Sequence, residues 1–146
     1  MLNFKRILVP YDGSEHAKKA VRQAVSIAEC TEDAVLYVIS IDEDISALDM
    51  NNLERAYMNE QLQAVHSSPA KTHIQDAKGM IPPSVKAEYT TRTGDAGPLL
   101  ESFAREKNCD LVVMGSRGLG ALSGLVMGSV SNYLAAHIAC PIFIIR

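Results

Sequence analysis

The sequence predicts an α/β protein built on one doubly wound, open parallel sheet of five strands, ordered 3-2-1-4-5, with helices on both faces. Three observations predict it. Short continuous apolar runs, Ile7-Leu8-Val9, Val35 to Ile39, Leu111 to Met114 and Ile142 to Ile145, have strand length and no polar face, as strands covered on both sides do. Between such runs, apolar residues recur at helical period, as at Ala17, Ala20, Val21, Ala24, Val25 and Ala28. The alternation of the two patterns implies right-handed βαβ crossovers, hence a parallel sheet.

Pro10 cannot donate to a ladder and closes the first strand. Tyr11-Asp12-Gly13-Ser14 forms the turn, with Ser14 placed to cap the first helix and Glu15 in its first turn. The middle, residues 41–83, is the least regular part. Leu53, Tyr57, Met58, Leu62 and Val65 make one helical stripe. Ser68-Pro69 then reads as N-cap and first helical position of a second piece, with Ile74 and Ala77 as its stripe and Gly79 as its terminator. Asp42-Glu43-Asp44 reads as a solvated acidic loop. After Pro82-Pro83, Val85, Ala87, Tyr89 and Thr91 alternate with Lys86, Glu88 and Thr90, the pattern of an edge strand with one wetter face. Gly94 to Gly97 turns the chain, Pro98 stands as the first helical residue, and Leu99, Leu100, Phe103 and Ala104 form the stripe of the third helix. The last helix carries Val130, Tyr133, Leu134 and Ile138 and is ended by Cys140-Pro141.

At 146 residues the chain suits a single domain, 1–146, with a core of its own. A net charge of −3 argues against a general nucleic-acid or anionic-membrane surface, and no apolar run approaches the ~20 residues that span a bilayer. The N-terminus shows no signal peptide, so a cytoplasmic protein is expected. Cys30, Cys109 and Cys140 form no C-x-x-C pair and read as buried, inert thiols. The histidines at 16, 66, 73 and 137 show no metal-ligand spacing.

In the order 3-2-1-4-5 the winding reverses between the first and fourth strands, and ligands of such sheets bind at the carboxyl ends of strands at that point. Pro10-Tyr11-Asp12 and Gly115-Ser116-Arg117-Gly118 both emerge there. The second segment leads through Leu119 to Met127 into Gly128-Ser129 and a helix start, whose unpaired N–H groups suit a phosphate. Ser129 and Ser131 add hydroxyls on the first turn. Asp12 fits either ligand contact or plain turn chemistry. Ser129 fits a phosphate contact, a helix cap, or both. Arg117 either pairs with phosphate oxygens or is a solvated loop arginine. Val38 and Met114 fit core and ligand wall equally.

The spacing Gly115-x2-Gly118-x9-Gly128-Ser129 resembles the nucleotide-binding signature of the ATP-binding branch of the universal stress proteins. The opening Ile7-Leu8-Val9-Pro10-x-Asp12-Gly13-Ser14, the pair Gly94-Asp95, the run Asp110 to Met114 and Cys140-Pro141-Ile142 look like that family too. The resemblance implies a Rossmann-like fold of the adenine nucleotide alpha hydrolase-like kind. It implies ATP as ligand, with Mg2+ or Mn2+ on the phosphates. Pro10, Tyr11, Asp12 and Val38 would line the adenosine side, Asp12 near the ribose or the phosphate-bound metal. Tyr11 is bulkier than the residue frequent at its place. Met114, Gly115, Ser116, Arg117 and Gly118 would wrap the ribose and phosphates, and Gly128, Ser129, Val130 and Ser131 would hold the β- and γ-phosphates. Leu119 to Met127 would be the flap over the triphosphate; because the segment is apolar, glycine-broken and uncharged, ATP is expected to order it and present its apolar side chains to a protein partner or the other subunit.

Rival chemistries lack their residues. A dinucleotide oxidoreductase would carry G-x-G-x-x-G after the first strand, and a P-loop ATPase a lysine closing its loop; neither is present. A phosphoacceptor receiver domain would, by resemblance, end strand three in aspartate and strand five in lysine, where this chain has Thr90-Thr91 and Ile145-Arg146. No base stands beside the expected γ-phosphate, so slow or absent hydrolysis follows. The apolar last strand, Ile142 to Ile145, lies at the sheet edge and invites pairing with a second copy. The resulting expectation is an ATP-binding regulatory homodimer of the stress response, with a weak ATPase or phosphotransfer enzyme of the same fold, or a nucleotide-independent interaction module, as the alternatives.

Overall fold

The computed structural model describes residues 3–43, 68–118 and 127–146. In chain order the elements are β1 (Arg6–Pro10), α1 (Glu15–Glu29), β2 (Val35–Asp42), α2 (Pro69–Met80), β3 (Lys86–Thr93), α3 (Ala96–Glu106), β4 (Leu111–Gly115), α4 (Ser129–His137) and β5 (Ile142–Ile145). The five strands form one sheet in the order β3-β2-β1-β4-β5, as expected from the sequence. Every pairing is parallel, with Arg6 opposite Val35, Val35 opposite Lys86, Ile7 opposite Leu111 and Val112 opposite Ile142.

The unbroken apolar strands are explained by burial on both faces. Successive side chains of a strand point to opposite faces. Ile7, Val9, Leu36, Val38, Leu111 and Val113 therefore face one layer, with Ala17, Ala20, Val21, Ala24 and Ala28 of α1 and Ile74 and Ala77 of α2. Leu8, Tyr37, Ile39, Val112 and Met114 face the other, with Leu100, Phe103 and Ala104 of α3 and Leu134 of α4. β3 alternates exposed and half-buried residues from Lys86 to Tyr89 and has no fully buried residue, the edge character its sequence implied. Asp110 fastens the start of β4 to β1: its two carboxylate oxygens accept the N–H groups of Lys5 and Arg6, each at 3.0 Å.

Several boundaries differ from the sequence expectation. Ser68 caps α2 as foreseen, its hydroxyl accepting the Lys71 N–H at 3.1 Å, with Pro69 in the first turn. Gly79 does not end that helix; it lies inside the last turn, and the chain leaves at Ile81, ahead of Pro82-Pro83. Asp42 is not loop but the last residue of β2, and its carboxylate accepts the Ala70 N–H at 2.9 Å, a second cap on α2. α3 begins at Ala96 behind the N-cap Asp95, so Pro98 stands within its first turn. α4 ends at His137, before Cys140-Pro141. The α4 N-cap is Gly128, and Ser129 is its first helical residue.

The cysteines are less buried than expected. Cys30 is exposed beyond α1, while Cys109 and Cys140 are half-buried against the α3/α4 layer. Burial, with Cys140 nearby, pushes the Cys109 thiol up to about 12, which keeps it protonated and unreactive. The helical stripe of Leu53 to Val65 lies outside the described residues. No described helix is long and apolar enough to cross a membrane.

Candidate functional site

β1 delivers the chain to α1 on one face of the sheet, and β4 delivers it toward α4 on the other. Between their carboxyl ends opens a cavity of about 380 Å3. Pro10, Tyr11 and Asp12 line it from β1, Met114 to Gly118 from β4, and Gly128 to Ser131 from the start of α4. Ile39, Ile41 and Glu43 line it from the end of β2, with Ala96 and Leu100 of α3.

The β1 side is a built turn. Asp12 Oδ1 accepts the Ser14 N–H at 3.0 Å, and Ser14 Oγ accepts the Ala17 N–H at 3.2 Å to cap α1. Gly13 sits at φ +81°, a conformation that a side chain disfavours. Asp12 thus performs the turn chemistry its sequence suggested and still presents its other oxygen to the loop after β4. A Cβ on Gly118 would collide with Asp12 Oδ2. Tyr11 is 2% exposed and packs into the α1/α2 layer. Its hydroxyl donates to Asp76 Oδ2 at 3.1 Å, and its ring meets His73 edge-on. Burial first, then the Asp76 carboxylate, pushes the phenol up to about 12. The bulk of Tyr11 is therefore taken up under α2.

On the β4 side the alanine-rich face of α1 lets the helix ride close over the sheet. A Cβ at Gly115 would stand 2.7 Å from His16 Cβ and 2.8 Å from the His16 carbonyl carbon. Ser116 follows, 1% exposed. Its N–H donates to Ile145 O at 2.8 Å. Its carbonyl accepts the Gly128 N–H at 2.6 Å and the Ser131 hydroxyl at 2.8 Å. Its own hydroxyl lies 2.8 Å from His16 Nδ1. The loop after β4 is thereby tied to β5, α4 and α1 at one residue.

α4 starts at this loop with Gly128 as N-cap, which has no side chain to cap the first-turn N–H groups. Such groups, at the positive end of a helix, suit an anion. Ser129 is exposed and lines the cavity. Arg117, half-buried, lines it too. With Asp12 and Glu43, the charged lining among the described residues is two carboxylates and one guanidinium.

The structure brings together all the residues singled out from the sequence except Val38, which is fully buried in the α1/α2 layer. At the end of β2 the wall is made by Ile39 and Ile41 instead. Met114 serves both as core and as wall. Two polar groups expected to face phosphate are turned inward: the Gly128 N–H and the Ser131 hydroxyl both go to the Ser116 carbonyl. Residues 119–126 of the expected flap lie outside the described residues. Sequence reasoning missed Ile41, Ile39, Glu43, Ala96 and Leu100, the helix-start residues Ser14 and Ala17, and His16 behind the lining. The alternation Ile39, Ile41 carried the signal for the first of these, since it extends β2 beyond its apolar run. Nothing in the spacing of His16 announced its contact with Ser116.

Comparison with known proteins fits this geometry. A universal stress protein of Thermus aquaticus is 33% identical over 155 aligned positions, covering 98% of this chain and 99% of the relative. The solved universal stress protein UspA from Lactobacillus plantarum is 25% identical, with a TM-score of 0.78 and 100% of both chains covered. A solved universal stress protein in complex with cAMP shares the fold, with a TM-score of 0.70 at 22% identity over 99% of each chain. The sequence model of the Universal stress protein family matches residues 3–146, and the chain belongs to that family.

Proposed function

We propose that this protein binds ATP in the cavity between β1, β4 and α4 and acts as a regulatory homodimer of the cytoplasmic stress response, with slow or no hydrolysis. The observation that carries the reading is the meeting of a glycine-containing loop, an uncapped helix start and a turn carboxylate around one cavity. The adenosine would rest toward Ile39, Ile41 and Leu100, apolar wall of the kind that receives a base. The phosphates would meet Gly118, Arg117 and the first turn of α4, where Ser129 and Val130 supply N–H groups and Ser129 a hydroxyl. That the solved relative with cAMP carries a nucleotide supports the ligand class.

The donor set fits a divalent cation held jointly with the ligand. Among the described residues no group of three or more His, Cys, Asp or Glu could hold a metal alone. Mg2+ is typically bound through one or two carboxylates plus substrate phosphates, and Asp12 stands beside Gly118 where those phosphates would lie. A Mg2+ or Mn2+ ion there would offset the repulsion between Asp12 and the phosphates. Hydrolysis needs a group that orients the attacking water, and the described lining supplies no histidine or lysine for it.

Isothermal titration with ATP, with and without Mg2+, tests the reading. Binding that strengthens with Mg2+, survives excess GTP and weakens in Asp12→Asn is expected. Absence of heat with any adenine nucleotide, and none co-purifying with the protein, would remove the assignment.

A further inference from the structure

We propose that His16 is a positioning residue for this site: it fixes the loop Ser116–Gly118 by holding the Ser116 hydroxyl, without touching the ligand itself. The inference rests on the ATP-binding reading above. His16 is not among the described residues that line the cavity, whereas Ser116 is. The contact is 2.8 Å between His16 Nδ1 and Ser116 Oγ, and it joins two elements 100 residues apart in sequence.

Three features give the contact weight. First, Ser116 is 1% exposed, so its hydroxyl has no ready solvent partner if the imidazole is removed, and a buried hydroxyl left unpaired is costly. Second, the bond completes Ser116, whose N–H and carbonyl are already committed to Ile145, Gly128 and Ser131. Rotation about its backbone is opposed from three directions. Third, Gly115 lets this turn of α1 lie close on the end of β4: a Cβ there would stand 2.7 Å from His16 Cβ and 2.8 Å from the His16 carbonyl carbon. That close approach brings the His16 ring within 2.8 Å of the Ser116 hydroxyl.

The consequence falls on Arg117 and Gly118. Their orientation follows the Ser116 dihedrals, and both line the cavity. If the loop samples other conformations, apparent affinity falls by the fraction of time the competent one is populated. Loss of one net hydrogen bond shifts such a balance by about five- to tenfold.

The test is calorimetry with MgATP on four variants, beside amide hydrogen exchange over residues 116–118 without nucleotide. His16→Phe keeps ring bulk and removes the polar δ atom; its Kd is expected to rise, by about tenfold at most, because affinity follows the competent fraction of the loop. His16→Asn places a polar atom at the same δ position and is expected to stay near wild type. Ser116→Ala removes the bond from the other side and is expected to weaken binding too. His16→Phe added to Ser116→Ala should then cost nothing further, because both delete one interaction. A residue that merely supports the fold would lower the melting temperature without this rescue by asparagine or this non-additivity. Wild-type affinity in His16→Phe, equal loss in the asparagine and phenylalanine variants, or full additivity overturns the proposal. If wild type itself binds no nucleotide, the ATP reading fails. The exchange arm then decides the tether alone: unchanged protection at 116–118 in His16→Phe refutes it, and faster exchange upholds the tether without the ligand.

Discussion

The glycines around the cavity divide by what a side chain would meet. At Gly115 an added Cβ runs into the His16 Cβ and backbone within 2.8 Å, so the glycine is needed for α1 to pack on β4. Gly115→Ala is expected to cost about 1–3 kcal/mol, the range of overpacking in a tight site, measured by urea unfolding. At Gly128 the nearest atoms to an added Cβ are 3.6 Å away, an ordinary contact, and its φ of −81° suits alanine. Gly128→Ala should therefore leave stability within about 0.5 kcal/mol. Its ATP affinity should nevertheless fall, since the methyl group stands where phosphate would approach the backbone. Equal affinity for ATP in Gly128→Ala and wild type would place the phosphates elsewhere. Tyr11 gives a third test at this scale. Its phenol is pushed from 10 to about 12 by burial and by Asp76, so the folded state keeps a proton that the unfolded chain releases. Below about pH 10 the contribution is fully present, and it is lost as pH rises toward 12. Tyr11→Phe should flatten the fall in stability over that window; a slope equal to wild type between pH 10 and 11.5 would mean that Tyr11 does not carry it.

Between β2 and α2 the chain uses two caps, and the second shows what spacing cannot reveal. Ser68 accepts from Lys71, while Asp42, distant in sequence, accepts from Ala70. Asp42→Ala is expected to cost about 1 kcal/mol, as lost helix caps do, and to speed hydrogen exchange in the first turn of α2. Asp42→Asn retains an acceptor and should behave like wild type. Local signals such as Ser68-Pro69, the α1 stripe and the apolar strands were legible because each is set by neighbours within one turn or one strand. Asp42 read as part of an acidic loop because its partner is supplied by tertiary structure. The same reason explains the misplaced ends. Gly79 is tolerated in a helical turn at a cost of about 1 kcal/mol, and the chain instead leaves the helix ahead of Pro82-Pro83. At the site, residues contributed by loops were legible from glycine and turn chemistry. Val38 fits core and wall equally by sequence, because the choice rests on strand parity, fixed by the register with β1, which sets the Val38 side chain in the α1/α2 layer and brings Ile39 and Ile41 to the cavity.

At the scale of the whole molecule the two sheet edges contrast. β3 presents Lys86, Glu88 and Arg92 to solvent, charges that discourage pairing with another chain. β5 presents Ile142, Phe143, Ile144 and Ile145, each half-buried and none charged. Phe143 and Ile145 pack on the α1/α2 layer, Phe143 edge-on to Phe4, and Ile142 packs on the α3/α4 layer. Ile144 is half-buried and belongs to neither cluster of described residues. Hydrogen bonding agrees. Val112 N–H goes to Pro141 O and Ser116 N–H to Ile145 O, which in a parallel ladder turns the peptide groups of Ile142 and Ile144 away from β4. Those groups are free in the register to pair with a second copy of β5, and the two-fold symmetry of a dimer would make that pairing antiparallel. Because Ser116 donates to the last residue of β5, the proposed dimer edge and the ATP site share one anchor. Ile144→Lys is expected to give a monomer by light scattering at micromolar concentration, with an unchanged far-ultraviolet spectrum, since the substitution spares both clusters. A folded Ile144→Lys protein that remains dimeric would place the interface on another surface, and a wild-type protein that is monomeric at those concentrations would remove the dimer altogether.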